Sequence, residues 1–344
     1  MSGWQRDVLP GYWQTEFALG PDPDGEGALA ATLVRRGPAD PAARHAVLMV
    51  HGYTDYFFHT GFADHLAARG FAFYAIDLHK CGRSHREGQT PHFTTDLTRY
   101  DIELERALAV IAQETGEARV LVCGHSAGGL VVSLWLDRLR RRTATRRLGV
   151  HGLVLNSPWL DLQGPAILRA APTSAALRAL RRWRAHSVVR RPSDGGYGTT
   201  LHRDYAGEFD YDLTWKPVGG FPVTVGWINA IRRGQAQLHR GLDVGVPNLI
   251  LRSDHSVREV ADPELIQRGD AVLDVAQIAR WAGCIGNRTT VVPVAGAKHD
   301  VFLSLPAPRE TAYRELDHWL DWYLPNSTDA SHSTDATDGD SRHG

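Results

Sequence analysis

Residues 119–136 read RVLVCGHSAGGLVVSLWL, and the order of residue types within them decides the architecture. Val120 to Cys123 are apolar without interruption, as in a β-strand covered on both faces. Leu130 to Leu139 read as a helix. Between them, Gly124-His125-Ser126-Ala127-Gly128 has to turn the chain sharply from strand to helix. Small residues two places before and two places after the serine let strand and helix approach closely, so the hydroxyl is lifted clear of the sheet. The free N–H groups at the start of the helix point at the same spot and suit a developing oxyanion. Ser126 is therefore the candidate nucleophile. The GxSxG pattern is weak alone and specific in this strand-to-helix setting.

Working outward, the same alternation repeats. Residues 12–19 and 28–35 read as short strands divided by Gly, Pro and Asp. His45-Ala-Val-Leu-Met-Val50 is a buried strand, Gly61 to Arg69 a short helix, and Phe71 to Asp77 a second buried strand. Tyr100 to Glu114 places Ile102, Leu104, Leu108 and Ile111 near helical spacing. Val150 to Asn156, Val246 to Leu251 and residues 289–294 are further strands, and Arg309 to Tyr323 is a last helix. Apolar strands alternating with helices predict an α/β fold whose mostly parallel sheet carries helices on both faces.

The rhythm breaks between Ser157 and Gly245. That stretch holds an Arg-rich segment, a Gly/Tyr/Asp-rich segment and the aromatics Trp215, Phe221 and Trp227. It reads as an insertion, a cap or lid over the carboxyl edge of the sheet. The expected organisation is a core of residues 1–157 and 246–325, a cap of 158–245, and a tail of 326–344. The tail is too polar to bury and is expected to be disordered.

Composition narrows the class. The chain has 344 residues, 43% of them hydrophobic, which suffices for a large core, and a formal net charge of −1. So even a balance gives no field to recruit nucleic acid or an anionic membrane, beyond peripheral contact. Cys81, Cys123 and Cys284 have no CxxC spacing, so neither a disulfide framework nor a zinc site is expected. The N-terminus lacks a secretory pattern, and no apolar run is long enough to span a bilayer. The expectation is a soluble, cytoplasmic protein. The basic runs Arg138 to Arg147 and Arg178 to Arg191 read as solvated helix faces. Cys123 reads as an inert core thiol.

The remaining chemistry is selected by position. His51-Gly52-Tyr53 closes the first long parallel strand, where a glycine lets the backbone aim the next N–H at a substrate. Tyr53 and Ala127 N–H are the expected oxyanion donors, with His51 supporting the loop. Seventeen histidines compete to be the base. His299 lies between the last strand and the last helix, at the sheet edge where ligands of open α/β sheets bind. His59, His79, His85 and His92 read as polar residues of surface loops, and His125 as a packing residue beside the turn, bordering the pocket. An acid should orient the imidazole. Asp254 follows a strand directly, and Asp270 opens a helical pattern; the residues alone leave both open. Trp215, Phe221 and Trp227 are candidate pocket walls or cap core. No metal site and no cofactor are expected.

In the order Ser126, acid, His299, the chain resembles the α/β-hydrolase superfamily. Within it, the closest likeness is to the monoacylglycerol lipase and lysophospholipase-like, serine aminopeptidase S33-type branch. The likeness is carried by His51-Gly52, Asp77 to Ser84, Gly124 to Gly129, Asp270 to Asp274 and His299-Asp300, and spans about residues 10–160 and 246–324. That branch usually shows Asp and then Arg-Gly-x-Gly-x-Ser. Here His79, Lys80 and Cys81 replace most of it, and Gly82, Arg83 and Ser84 remain. A second acid often follows the catalytic one by four residues, so the resemblance favours Asp270, with Asp274, over Asp254. It implies a serine esterase with a small-molecule or lipid ester substrate and a Ser–His–Asp catalytic triad that needs no cofactor. Acyl transfer or C–C bond hydrolysis by the same triad is the alternative, and a noncatalytic binding protein of this fold a more distant one.

Overall fold

The computed structural model describes residues 3–143, 148–163, 180, 183–193, 195–258 and 262–323. The tail from 326, the end of the first basic run and the start of the second lie outside the described residues.

Nine strands form one sheet in the order β1-β2-β3-β5-β4-β6-β7-β10-β11. In chain order these are β1 (Gln5–Arg6), β2 (Tyr12–Pro21), β3 (Ala28–Arg36), β4 (His45–Val50), β5 (Phe71–Asp77), β6 (Arg119–His125), β7 (Val150–Asn156), β10 (Asn248–Ser253) and β11 (Thr289–Val294). The first three pair antiparallel at one edge, and the other six are parallel to one another. β8 (Val188–Arg190) and β9 (Val223–Thr224) make a separate antiparallel pair within the inserted segment.

The helices are α1 (Thr60–Ala68), α2 (Asp101–Thr115), α3 (Ala127–Arg142), α4 (Val225–Leu238), α5 (Val275–Trp281) and α6 (Pro306–Tyr323). Successive side chains of a strand face opposite sides, so an unbroken apolar strand needs cover on both. Leu48, Val50, Val120 and Val122 pack with Leu104 of α2, Leu130 of α3 and Ile231 of α4. Their neighbours Val47, Leu121 and Cys123 pack on the other side with Leu66 of α1 and Leu316 of α6. α4 was not foreseen. Yet Trp227, Ala230, Ile231 and Leu238 are buried on it at helical spacing and share the core of α2 and α3. Among the described residues, no helix is long and apolar enough to cross a membrane.

Loops at the carboxyl edge are held by buried ion pairs. Arg83 donates to Asp7 at 2.6 and 2.8 Å and to Asp77 at 2.9 Å. Lys80 Nζ meets Asp22 and Glu26, each at 2.6 Å. The His79 ring meets Glu103 at 2.6 Å. His79 and Lys80, two of the residues that replace the resembled branch's pattern, are thus anchors of the β5 loop. His59, His79 and His92, expected on the surface, are buried, because these loops fold back over the sheet edge. The described part of the first basic run does face solvent, where Arg138 pairs with Asp101 and Arg142 with Glu105.

Arg83→Leu strands two buried carboxylates. It should cost about 3–5 kcal/mol of folding stability in urea titrations, and a loss below about 1 kcal/mol would refute the anchoring role.

Candidate active site

Every parallel strand delivers its last residue to the same edge, so the site is assembled from loops that are far apart in sequence. β6 ends at His125, and α3 begins at Ala127. Ser126 between them has φ 52° and ψ −119°, a conformation that L residues rarely adopt. Its hydroxyl does not cap the helix. Its N–H donates to Asn156 O (3.0 Å), and its carbonyl accepts from Gly129 and Trp159 N–H, both at 3.0 Å. The turn is therefore fixed by backbone bonds that leave the hydroxyl uncommitted to the helix. A methyl on Gly128 would stand 2.2 Å from His51 O, so only glycine fits.

The loop after β4 crosses directly over this turn. A Cβ on Gly52 would lie 3.0 Å from Ser126 Cβ, so any side chain there would press on the serine. His51 Nε2 accepts from Leu78 N–H (3.1 Å), which leaves Nδ1–H to donate to Gly52 O (2.8 Å). Gly52 C=O and Tyr53 N–H belong to one planar peptide. His51 therefore orients the Tyr53 N–H without touching it. The Tyr53 side chain is tied to the inserted segment: its hydroxyl donates to Pro222 O (2.6 Å), and its ring lies 3.9 Å from that of Trp227. Ala127, as first residue of α3, holds one of the N–H groups that a helix cannot satisfy internally.

His299 Nδ1 lies 2.9 Å from Asp270 Oδ2, and both side chains are buried. The other Asp270 oxygen accepts from Val272 (2.8 Å) and Leu273 (2.7 Å) N–H, which fixes the carboxylate. With Nδ1–H donating to Asp270, Nε2 is the ring's free acceptor. Asp254 points elsewhere. It is half-exposed, meets His255 Nδ1 (2.9 Å) and accepts from Gly296 N–H (3.0 Å). It braces the loop that carries His299 rather than the imidazole.

Asn156 had no role in the sequence reading, although it ends a parallel strand and so stands at the right edge. Its carbonyl accepts from Ser126 N–H. Its side-chain Nδ2 donates to Asp300 (2.6 Å), and its Oδ1 accepts from Val301 N–H (3.1 Å). One residue thus ties the serine turn to the histidine loop. Tyr197, also unforeseen, accepts from Asp300 N–H (3.0 Å) and meets the His299 ring edge-on.

These groups open on a cavity of about 690 Å³, bordered by Tyr53, His125, Ser126, Phe221, Trp227 and His299. Trp215 does not border it. Its ring packs edge-on against Tyr56 at 5.1 Å, in a satellite cluster with Phe58 and Tyr211. The wall also carries Asp55 and Lys216, paired at 2.6 Å. Burial alone would raise the Asp55 carboxyl. The Lys216 ammonium is the largest influence opposing it, and the group is held at about 2. Burial pushes the His125 ring below its ordinary value and that of His59 to about 4, so both are neutral near pH 7.

The sheet order, the helices on both faces and the turn at Ser126 define an α/β-hydrolase. Residues 41–267 match the model of the serine aminopeptidase S33 family, so the chain belongs to that family and is a hydrolase by membership. No curated protein matches the chain. Among solved structures, a soluble variant of monoglyceride lipase from Saccharomyces cerevisiae, bound to a substrate analogue, is similar at 17% identity and TM-score 0.59; the match covers 85% of this chain and 92% of that one. Paleococcus ferrophilus monoacylglycerol lipase is similar at 18% identity and TM-score 0.53, covering 91% and 99%. A thermostable carboxyl esterase from Bacillus coagulans, bound to glycerol, is similar at 12% identity and TM-score 0.60, covering 92% and 100%. These likenesses concern the fold.

The Asp55–Lys216 pair makes a prediction about acid. The folded carboxyl titrates at about 2 against an ordinary 3.8. Its charge therefore stabilises the fold above that ordinary value, and the contribution fades as pH falls toward the folded one. Lys216→Met should raise the carboxyl and move acid unfolding, followed by circular dichroism, to higher pH. An unmoved midpoint would show that the pair contributes nothing.

Proposed function

We propose that the chain hydrolyses carboxylic esters, lipid-like or small acyl, through an acyl-enzyme on Ser126. One observation carries this reading: a serine held in a strained turn and a buried His299–Asp270 pair open on the same cavity, among aromatic walls. The lipase and esterase folds named above support the substrate class.

In this reading Ser126 Oγ attacks the ester carbonyl while His299 Nε2 takes its proton. Asp270 holds Nδ1–H and stabilises the imidazolium. The carbonyl electrons move onto oxygen, where the Tyr53 and Ala127 N–H groups stabilise the negative charge. One such donor is worth roughly 2.7–4 kcal/mol in the transition state. Collapse of the adduct expels the alcohol, which takes the proton back from His299. Water then repeats the sequence on the acyl-enzyme: it gives a proton to His299, attacks the acyl carbon and releases the acid and free Ser126. His125, Phe221 and Trp227 border the substrate chamber. Within the inserted residues 158–245, the part that carries Tyr197 and Phe221 acts as the cap and faces the chamber, while the helix Val225–Leu238 packs into the core.

A fluorophosphonate probe should label Ser126 and leave Ser126→Ala unlabelled. On p-nitrophenyl esters of increasing chain length, Asp270→Asn should lower kcat by about 10⁴, and Asp254→Asn should leave it near the starting value. Damage by Asp254→Asn alone would reassign the acid, and no turnover of any ester would sink the reading. Phe221→Ala should change the preferred acyl length, whereas Trp215→Ala should lower thermal stability and leave that preference in place.

A further inference from the structure

Behind the loop that carries Gly52 and Tyr53, three metal-ligating side chains converge. One nitrogen each from His51 and His92 and the sulfur of Cys81 all lie within 4.8 Å of one another. All three residues are buried. Cys81 Sγ is 3.2 Å from His92 Nδ1. Metal bonds of roughly 2.3 Å to sulfur and 2.0 Å to nitrogen, at a tetrahedral angle, put those atoms about 3.5 Å apart. The three side chains line a void of about 20 Å³ that Tyr100, Ala127 and Trp227 help to bound. A void of about 10–15 Å³ already holds one water-sized particle. This one admits a single ion or water and nothing larger. His92 Nδ1, which faces the sulfur, is the nitrogen placed to ligate; Nε2, elsewhere on the ring, is buried with no hydrogen-bond partner.

We propose that His51, Cys81 and His92 form a binding site for a zinc-class ion, and that filling it lowers catalysis. One sulfur and two imidazole nitrogens suit zinc rather than magnesium or calcium, which take oxygen ligands. Binding replaces the Cys81 thiol proton, which leaves to solvent, and no electron is transferred. The coupling runs through one ring. His51 Nε2 accepts from Leu78 N–H, and Nδ1–H holds Gly52 O. An ion that takes the Nε2 lone pair displaces Leu78 and turns the ring. The Gly52 carbonyl follows, and with it the Tyr53 N–H of the same peptide. This control over turnover rests on the ester hydrolase reading; the site itself does not.

The test uses the full chain, stripped of metal by dialysis against a chelator and titrated with Co²⁺ as a coloured stand-in for zinc. A thiolate-to-cobalt charge-transfer band should saturate at one equivalent and vanish when Zn²⁺ displaces the cobalt. Loading with Zn²⁺ should lower kcat on p-nitrophenyl acetate by about 100-fold, as for loss of one oxyanion donor, with KM little changed. Cys81→Ser should abolish the band, and Zn²⁺ should no longer lower the variant's kcat relative to its own metal-free rate. His92→Gln should abolish the band as a second, independent variant. No band in the unaltered chain, or a band that survives both substitutions, overturns the site. A saturated band with undiminished kcat overturns its control of the loop. If the chain cleaves no ester, the band still reports on the site, so the two proposals fail separately.

Discussion

The position that a side chain on Gly128 would need is already filled by His51 O, 2.2 Å from where its Cβ would stand. That crossing, of the β4 loop against the first turn of α3, leaves no room for a side chain where the serine turn becomes a helix. It brings two chain segments within contact distance at the point where β6 gives way to a helix. Ser126 takes up the resulting strain as a positive φ. Strain of this kind costs of order 1–3 kcal/mol and persists only where the surroundings over-determine it. Here they do: Asn156 holds the Ser126 N–H, and Gly129 and Trp159 hold its carbonyl.

Asn156 extends that determination from the serine to the histidine loop. It belongs to the strand next to β6, so it moves with the sheet and not with either loop. Its backbone grips one functional segment and its amide grips the other, through Asp300 and Val301. The relative placement of Ser126 and His299 is thus referred to a rigid strand. The placement of Asp270 is referred to a different element. A short parallel bridge between Ser256 and Asp270 returns the long excursion after β10 to the sheet edge. That bridge explains how an acid sixteen residues beyond Asp254 reaches the imidazole while Asp254, nearer the strand, does not.

Strand and helix periodicity were legible almost throughout the sheet, because apolar strands and amphipathic helices answer to local burial alone. The serine turn and His299 were legible for a related reason: both sit at strand ends, where position implies exposure at the carboxyl edge. Legibility failed where a residue's surroundings come from distant sequence. The loop histidines looked solvated because nothing near them in the chain shows that the loops fold inward. Lys216 and Asp55 lie 161 residues apart, and no local pattern links them. Cys81 had no CxxC partner, and its neighbours in space are His51 from the loop after β4 and His92 from farther along its own loop. The helix from Val225 to Leu238 did carry a pattern, but its aromatics read equally well as cap. Trp215 shows the limit of composition: an aromatic beside a pocket-forming stretch packs on Tyr56 instead.

The buried charges follow from the same geometry. A loop at a sheet edge cannot satisfy its polar groups with a regular ladder, and unpaired polar groups in the interior are costly. At this edge the chain meets the demand with side chains. Asp77 accepts from the N–H groups of Phe57 and Arg83 and from the Arg83 guanidinium, so one carboxylate fastens two loops. Glu103 does the same from a helix, accepting from His79 N–H while pairing with its ring. Ion pairs of this kind add little net stability over an apolar core, because desolvation offsets most of the attraction. What they supply is direction. Each bond is short, buried and oriented, so the loops have one arrangement in which every charge is met. That is the arrangement in which the Gly52–Tyr53 peptide, Ser126 and His299 border one cavity.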